Sequence, residues 1–155
     1  MIKYSTIAMR LKYITTLLIL IFSNYGCQQE NPGPKGCTSR QALNFDEEAR
    51  QDDGSCQYSR AVFYARYNSA NNVRIGKIVV FTDGIKLGEI TKFYENGIDG
   101  CFVSGTVPYE FSDEKSITWT THIYDTKGVK SRFEDFGTIS PSRTKECVQI
   151  NVTNN

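Results

Sequence analysis

The chain has 155 residues with 18 Lys+Arg against 17 Asp+Glu, for a formal net charge of +1. Three of those bases, Lys3, Arg10 and Lys12, fall in the first twelve residues and no acid precedes Glu30, so the part beyond residue 26 holds fifteen bases against seventeen acids and a net charge of −2. Without a Lys/Arg cluster in that part, the electrostatic footprint of a nucleic-acid binder is missing, and that class is excluded. The length after residue 26 suits one modest domain and a small appendage.

Residues 1–26 read as an export signal. A basic opening leads into an apolar run from Tyr13 to Phe22, which is shorter than the ~20 residues a bilayer-spanning helix needs and ends in Ser23, Asn24, Tyr25 and Gly26 without a charged flank. Met9, followed by Arg10, Leu11 and Lys12, offers a second start that would give a more compact signal. The junction Gly26-Cys27 resembles that of bacterial lipoproteins, in which a small residue precedes a cysteine that receives the lipid. Asn24 and Tyr25 stand where that family usually has Leu and a small residue. The resemblance implies lipidation at Cys27 and an address at the cell envelope, in the outer membrane. Plain signal cleavage and a retained membrane anchor are the alternatives.

Five cysteines then divide into one plus four. Cys37, Cys56, Cys101 and Cys147 form an even set in an oxidising compartment, which points to two disulfides. Four cysteines allow three pairings, and Cys37 with Cys56 and Cys101 with Cys147 is favoured because each pair lies within its own segment.

Residues 27–36, polar and rich in Gly and Pro, read as a tether between lipid and folded part. Gln28, Gln29 and Glu30 resemble the short polar signal that directs some lipoproteins of Bacteroidota to the cell surface.

Residues 37–58 form a cysteine-bounded mini-module too small for its own core, so its cross-link stands in for one. Within it Asp52, Asp53, Gly54 and Ser55 spell a turn, and Asp46, Glu47 and Glu48 suit the start of a short helical turn. The segment resembles a repeat of secreted and surface proteins of Bacteroidota, C-T-x3-A-x-N-[YF] continuing to D-D-G-S-C-x-Y. Cys37, Thr38, Ala42, Asn44, Phe45, Asp46, Ala49, Asp52, Asp53, Gly54, Ser55, Cys56 and Tyr58 fall on it. Asn44, Asp46, Glu48, Asp52 and Asp53 also offer enough oxygen ligands for calcium, and the segment is partly similar to calcium-binding repeats of thrombospondin type, although the alternating D-x-D-x-D-G loop is absent. Calcium is the one cofactor the sequence suggests.

From residue 60 to 153 the chain reads as all-β: β-branched and aromatic runs punctuated by turn residues, with no long helical period. Strands are expected over 61–67, 74–81, 85–93, 101–111, 116–124, 129–139 and 147–152. Asp83-Gly84 is the strongest hairpin signal, with Lys127-Gly128 a second. The alternation of Ile117, Trp119, Thr121 and Ile123 with Thr118, Thr120, His122 and Tyr124 puts Trp119 on the core face. About seven antiparallel strands at this spacing fit an immunoglobulin-like or transthyretin-like β-sandwich. The order of an aromatic first strand, a D-G hairpin, a middle cysteine, a Thr-Trp-Thr strand and a late cysteine is similar to small β-sandwich domains of Bacteroidota lipoproteins.

The catalytic inventory is thin. His122 is the sole histidine, no G-x-S-x-G elbow or phosphate-cradling glycine loop occurs, and the adjacent carboxylates Glu134 and Asp135 point to opposite faces if they sit on a strand. Tyr94, Tyr109 and Tyr124 are candidates to stack on sugars or fill a partner's pockets, and Lys127, Lys130, Arg132 and Arg143 could attract an acidic partner. The leading expectation is therefore a non-enzymatic envelope lipoprotein with a binding or structural role, its partners the membrane and a glycan or envelope protein. A calcium-stabilised adhesion or carbohydrate-binding accessory and a glycan hydrolase with a carboxylate site are the alternatives.

Overall fold

The β-branched and aromatic runs beyond residue 60 form strands where side chains can alternate between a buried and a wet face. The computed structural model describes residues 32–70, 72–113, 116–131 and 134–153. The signal segment, Cys27, Gln28 to Glu30 and Arg132 lie outside the described residues.

The fold is all-β, with no helix among the described residues. Two short strands, β1 (Lys35–Gly36) and β2 (Gln51–Asp52), belong to the mini-module. Eight more follow: β3 (Arg60–Tyr64), β4 (Ser69–Ala70), β5 (Val73–Thr82), β6 (Ile85–Ile90), β7 (Val107–Glu110), β8 (Ile117–Asp125), β9 (Phe136–Ile139) and β10 (Cys147–Asn151). One sheet has the order β10-β3-β7; the larger has the order β4-β5-β8-β9, with β6 also paired to β5. Gly33–Asn155 makes one compact unit.

Residues from both sheets meet in a single apolar cluster: Phe63 and Ala65 with Val107 and Val152 on one side, Ile75, Ile78, Val80, Ile90, Trp119 and Ile123 on the other. Trp119 is 8% exposed, as its place in the alternation of β8 requires, and its ring meets Phe63 edge-on at 5.6 Å. A smaller cluster of Ala61, Phe111 and Ile117 lies nearby, with Tyr58 and Tyr109 packed against it.

The Asp83-Gly84 hairpin is formed as expected. Both residues have positive φ, 46° and 81°, and Thr82 pairs with Ile85 across the turn, the geometry whose twist suits a two-residue hairpin. Asp83 also accepts hydrogen bonds from the backbone and hydroxyl of Thr118, at 3.0 and 2.7 Å.

Four features differ from the sequence reading. The expected strand over 101–111 shrinks to Val107–Glu110, because Gly97, Gly100 and Gly105 all take left-handed conformations and turn the chain ahead of it. The strand expected over 129–139 is confined to Phe136–Ile139, because the Asp125 carboxylate accepts the amides of Lys127 and Val129 and holds that stretch as a turn. Ser69–Ala70 adds a strand that a two-residue run could not announce. The fourth concerns direction: every pairing within the larger sheet and between β3 and β7 is antiparallel, but β10 runs parallel to β3, with Cys147 opposite Arg60. The cause is local. Ser142 donates its amide to the Ser59 hydroxyl and Arg60 donates its amide to the Glu146 carbonyl, so the returning chain is pinned at the end where β3 begins.

Both disulfides are formed in the favoured pairing, Cys37–Cys56 with Cα atoms 4.8 Å apart and Cys101–Cys147 with Cα atoms 5.6 Å apart. In the mini-module β1 pairs parallel with β2, and the Pro34 carbonyl accepts the amides of Arg50 and Gln51. Residues 34–36, expected to be tether, are thus part of the folded module.

Candidate functional site

In the module the polar side chains serve the backbone. Asn44 ties its two halves together, donating to the Ser55 carbonyl at 2.7 Å and accepting the Gln57 amide at 2.7 Å. Asp46, Asp52 and Asp53 each accept the amide two residues on, from Glu48, Gly54 and Ser55, at 2.9 Å in every case. Asp46 therefore makes an Asx turn and caps no helical turn. Hydrogen bonding from Ser55 holds the Asp53 carboxyl below its ordinary range. The five residues expected to ligate calcium are not brought together as a cage: among the described residues no group of three or more His, Cys, Asp or Glu is placed to hold a metal ion.

The module docks beside the start of β3. Ser39 donates to Asp113 at 2.6 Å, and the Arg143 guanidinium lies 5.4 Å from the centre of the Phe45 ring. Between these parts runs an open polar cavity of about 530 Å³, lined by Ser39, Arg40, Gln41, Asp52, Tyr58 and Asp113 among others. Of its polar groups, Asp113 receives the Ser39 hydroxyl and Asp52 receives the Gly54 amide.

A second surface is the outer face of the larger sheet. Phe136 of β9 stands opposite Thr120 of β8, Thr120 opposite Phe81 of β5, and Phe81 opposite Lys86 of β6, so these four side chains form one row across the sheet. Because residues two apart on a strand share a face, Thr118, His122 and Tyr124 extend that face along β8, and Thr138 extends it along β9. Phe136 is 75% exposed, and His122 packs on Phe81 with ring centroids 4.6 Å apart.

Charge at the rim of this face is paired. Lys77 and Lys86 both reach Glu89, at 3.2 and 2.8 Å, and Lys77 also lies 5.4 Å from the centre of the Tyr124 ring. At the other edge Lys130 reaches Glu134 at 2.7 Å, with His122 Nε2 3.5 Å from the same oxygen. Hydrogen bonds from Lys86 and Lys77 hold the Glu89 carboxyl below its ordinary value; that from Lys130, with its charge, does the same for Glu134.

The three candidate tyrosines have different fates. The Tyr94 hydroxyl is bound to the Ser104 carbonyl, and Tyr109 packs into both apolar clusters and edge-on against Phe111, whereas Tyr124 lies on the outer face. Glu134 and Asp135 diverge: Glu134 joins Lys130 and His122, whereas Asp135 accepts the Phe136 amide and its carbonyl accepts Thr121. Lys127 sits in the Asp125 turn. Phe81 and Phe136 were not singled out from sequence, because only the register of β9 on β8 and of β8 on β5 puts them on one face.

No family model and no solved structure matches the chain. Among curated proteins it is similar over a short stretch to chloroplastic ribulose bisphosphate carboxylase/oxygenase activases. That of Arabidopsis thaliana is 54% identical over 39 residues, 24% of this chain and 8% of the relative. Activase A of Hordeum vulgare is 51% identical over 39 residues, 24% of this chain and 8% of the relative, and the activase of Oryza sativa subsp. japonica is 52% identical over 40 residues, 24% of this chain and 9% of the relative. The chain spans less than a tenth of the length of these proteins.

Proposed function

We propose that the protein is a non-enzymatic, lipid-anchored envelope protein of Bacteroidota type, with a binding or structural role. It is held to the outer membrane through an acylated Cys27, and its larger sheets act as a sandwich of immunoglobulin-like or transthyretin-like kind. The observation that carries the reading is the cysteine pattern. Two disulfides each close within their own segment, which suits an oxidising compartment, and Cys27 is left as the odd thiol directly behind a basic-then-apolar opening. The outer face of the larger sheet, with an exposed aromatic on an edge strand, supports a binding role. The match to the activases covers a quarter of the chain and is read as a shared short segment without their activity.

Intact-mass analysis of detergent-extracted protein tests this reading. The expected species begins at Cys27, carries acyl groups and is lighter by four hydrogens than the reduced polypeptide. A water-soluble chain that retains residues ahead of Cys27, or one with free thiols at Cys37 and Cys101, overturns it.

A further inference from the structure

We propose that the outer face of the five-stranded sheet is a platform for a neutral polysaccharide. This deepens the reading of the chain as a binding protein and names the ligand class for that face. Three kinds of group combine on this one surface.

Ring faces come first. Phe136 and Phe81 flank Thr120 in the same cross-strand row, so they stand two strand spacings apart, about 10 Å. Phe136 is 75% exposed, and the imidazole of His122 and the ring of Tyr124 continue the aromatic surface along β8. Phe136 presents an open π-face to the C–H face of a sugar ring at little ordering cost, because its ring has only two side-chain torsions, whereas Phe81 lies against the His122 imidazole and Tyr124 against Lys77, and they widen the apolar floor beside it.

Free hydroxyls come second. No hydrogen-bond partner accompanies the side-chain hydroxyls of Thr120, Thr138 or Tyr124 among the described residues, whereas Thr118 is held by Asp83. Hydroxyls set between aromatic rings can donate to and accept from the equatorial hydroxyls of a sugar that lies on those rings.

Paired charge comes third and selects the class. Lys77 and Lys86 share the Glu89 carboxylate and Lys130 is paired with Glu134, so the three lysines beside the aromatic row each lie against a carboxylate, and neither they nor those carboxylates stand alone to recruit a charged polymer. An uncharged chain bearing alternating apolar faces and hydroxyls complements such a surface.

The test uses detergent-solubilised full-length protein, retained on insoluble cellulose, mannan, xylan and starch, with alginate and pectate as anionic polymers. Retention on at least one neutral polymer, unchanged in high salt, is expected. Phe136→Ala, at an exposed edge position, should weaken that retention at least tenfold with little change in melting temperature, and Thr120→Val should weaken it with the fold intact. Phe102→Ala should leave it unchanged, because Phe102 is as exposed as Phe136, at 76%, but lies beside the Cys101–Cys147 bridge against Arg60, away from this face. No retention on any neutral polymer, retention confined to the anionic ones, capture of an envelope protein in place of glycan, or equal loss with Phe102→Ala overturns the proposal. A chain that is acylated at Cys27 yet binds no neutral polymer refutes the ligand class and leaves the lipoprotein reading standing. Retention by a chain that lacks the acyl groups does the reverse.

Discussion

Gly137 lies directly under the indole of Trp119. The two residues are paired across β8 and β9, and a Cβ built on Gly137 would sit 2.9 Å from Trp119 Nε1 and 3.0 Å from Cε2 and Cζ2. The glycine is thus what lets β9 approach a strand whose inward residue is the largest side chain there is.

Gly137→Ala is therefore expected to destabilise the protein. Gly137 does not have positive φ, so alanine gains about 0.4–1 kcal/mol by restricting the unfolded chain. Against that stands an overpacking cost of about 1–3 kcal/mol, because Trp119 is wedged against Phe63 and cannot swing away. The net loss should appear as a lower denaturation midpoint in urea together with a change in tryptophan fluorescence. A midpoint equal to or above that of the parent chain would show that β9 shifts to absorb the methyl group.

The two disulfides should differ in what they protect. Their sequence separations of 19 and 46 residues correspond to loop-closure contributions of about 3 and about 4 kcal/mol. Besides its cross-link the module is held by a two-residue ladder and scattered hydrogen bonds such as those of Asn44, Leu43 and Asp46, so Cys37→Ser with Cys56→Ser should melt it locally. Amides of Leu43 and Asp46, which bond to the Gln57 and Cys37 carbonyls, should then exchange with solvent while those of β5 and β8 stay protected. Replacing Cys101 and Cys147 frees β10 and the loop ahead of β7, and should lower the global midpoint. Hydrogen exchange on both variants separates the two outcomes, and equal loss of protection throughout would refute the division.

The all-β class, the Asp83-Gly84 hairpin, the inward place of Trp119 and both disulfide pairings were legible because each depends on a local signal: alternation, positive φ, or proximity in sequence. The parallel pairing of β10 with β3 was not, because it follows from contacts between Ser59 and Ser142 and between Arg60 and Glu146, more than eighty residues apart. The outer face was half legible. Tyr124 and His122 can be placed outward from β8 alone, but Phe136 joins them only through the register Thr120↔Phe136. The calcium reading counted oxygens without knowing where amides would be, and in the fold Asn44, Asp46, Asp52 and Asp53 each accept one.

Millimolar calcium is accordingly expected to leave the melting temperature unchanged. Six to eight oxygens must converge on the ion, and drawing those four side chains inward would strip hydrogen bonds from the Glu48, Gly54, Ser55 and Gln57 amides. A calcium-dependent rise that chelator reverses would show that the module rearranges around the ion. The measurement is a thermal melt in calcium and in chelator, on the same sample.

Acid should weaken the outer face of the larger sheet through Glu89 and Glu134. Both carboxyls are held below their ordinary value, chiefly by hydrogen bonds from Lys86 and Lys77 in the first case and from Lys130 in the second. A carboxyl that is more acidic folded than unfolded contributes stability in full above its unfolded pKa, near 4.3, and loses it as pH falls through the lower folded value. The effect is modest because both groups face solvent, and salt screens it. Glu89→Gln with Glu134→Gln should therefore lower the urea midpoint slightly near pH 7, where both carboxylates contribute in full, and flatten its fall below about pH 5 so that variant and parent converge in acid, and the difference should shrink in high salt. An unaltered acid limb in the double variant would mean that the lysines find other partners. Midpoints measured from pH 3 to pH 7 for the parent and the variant decide between the two.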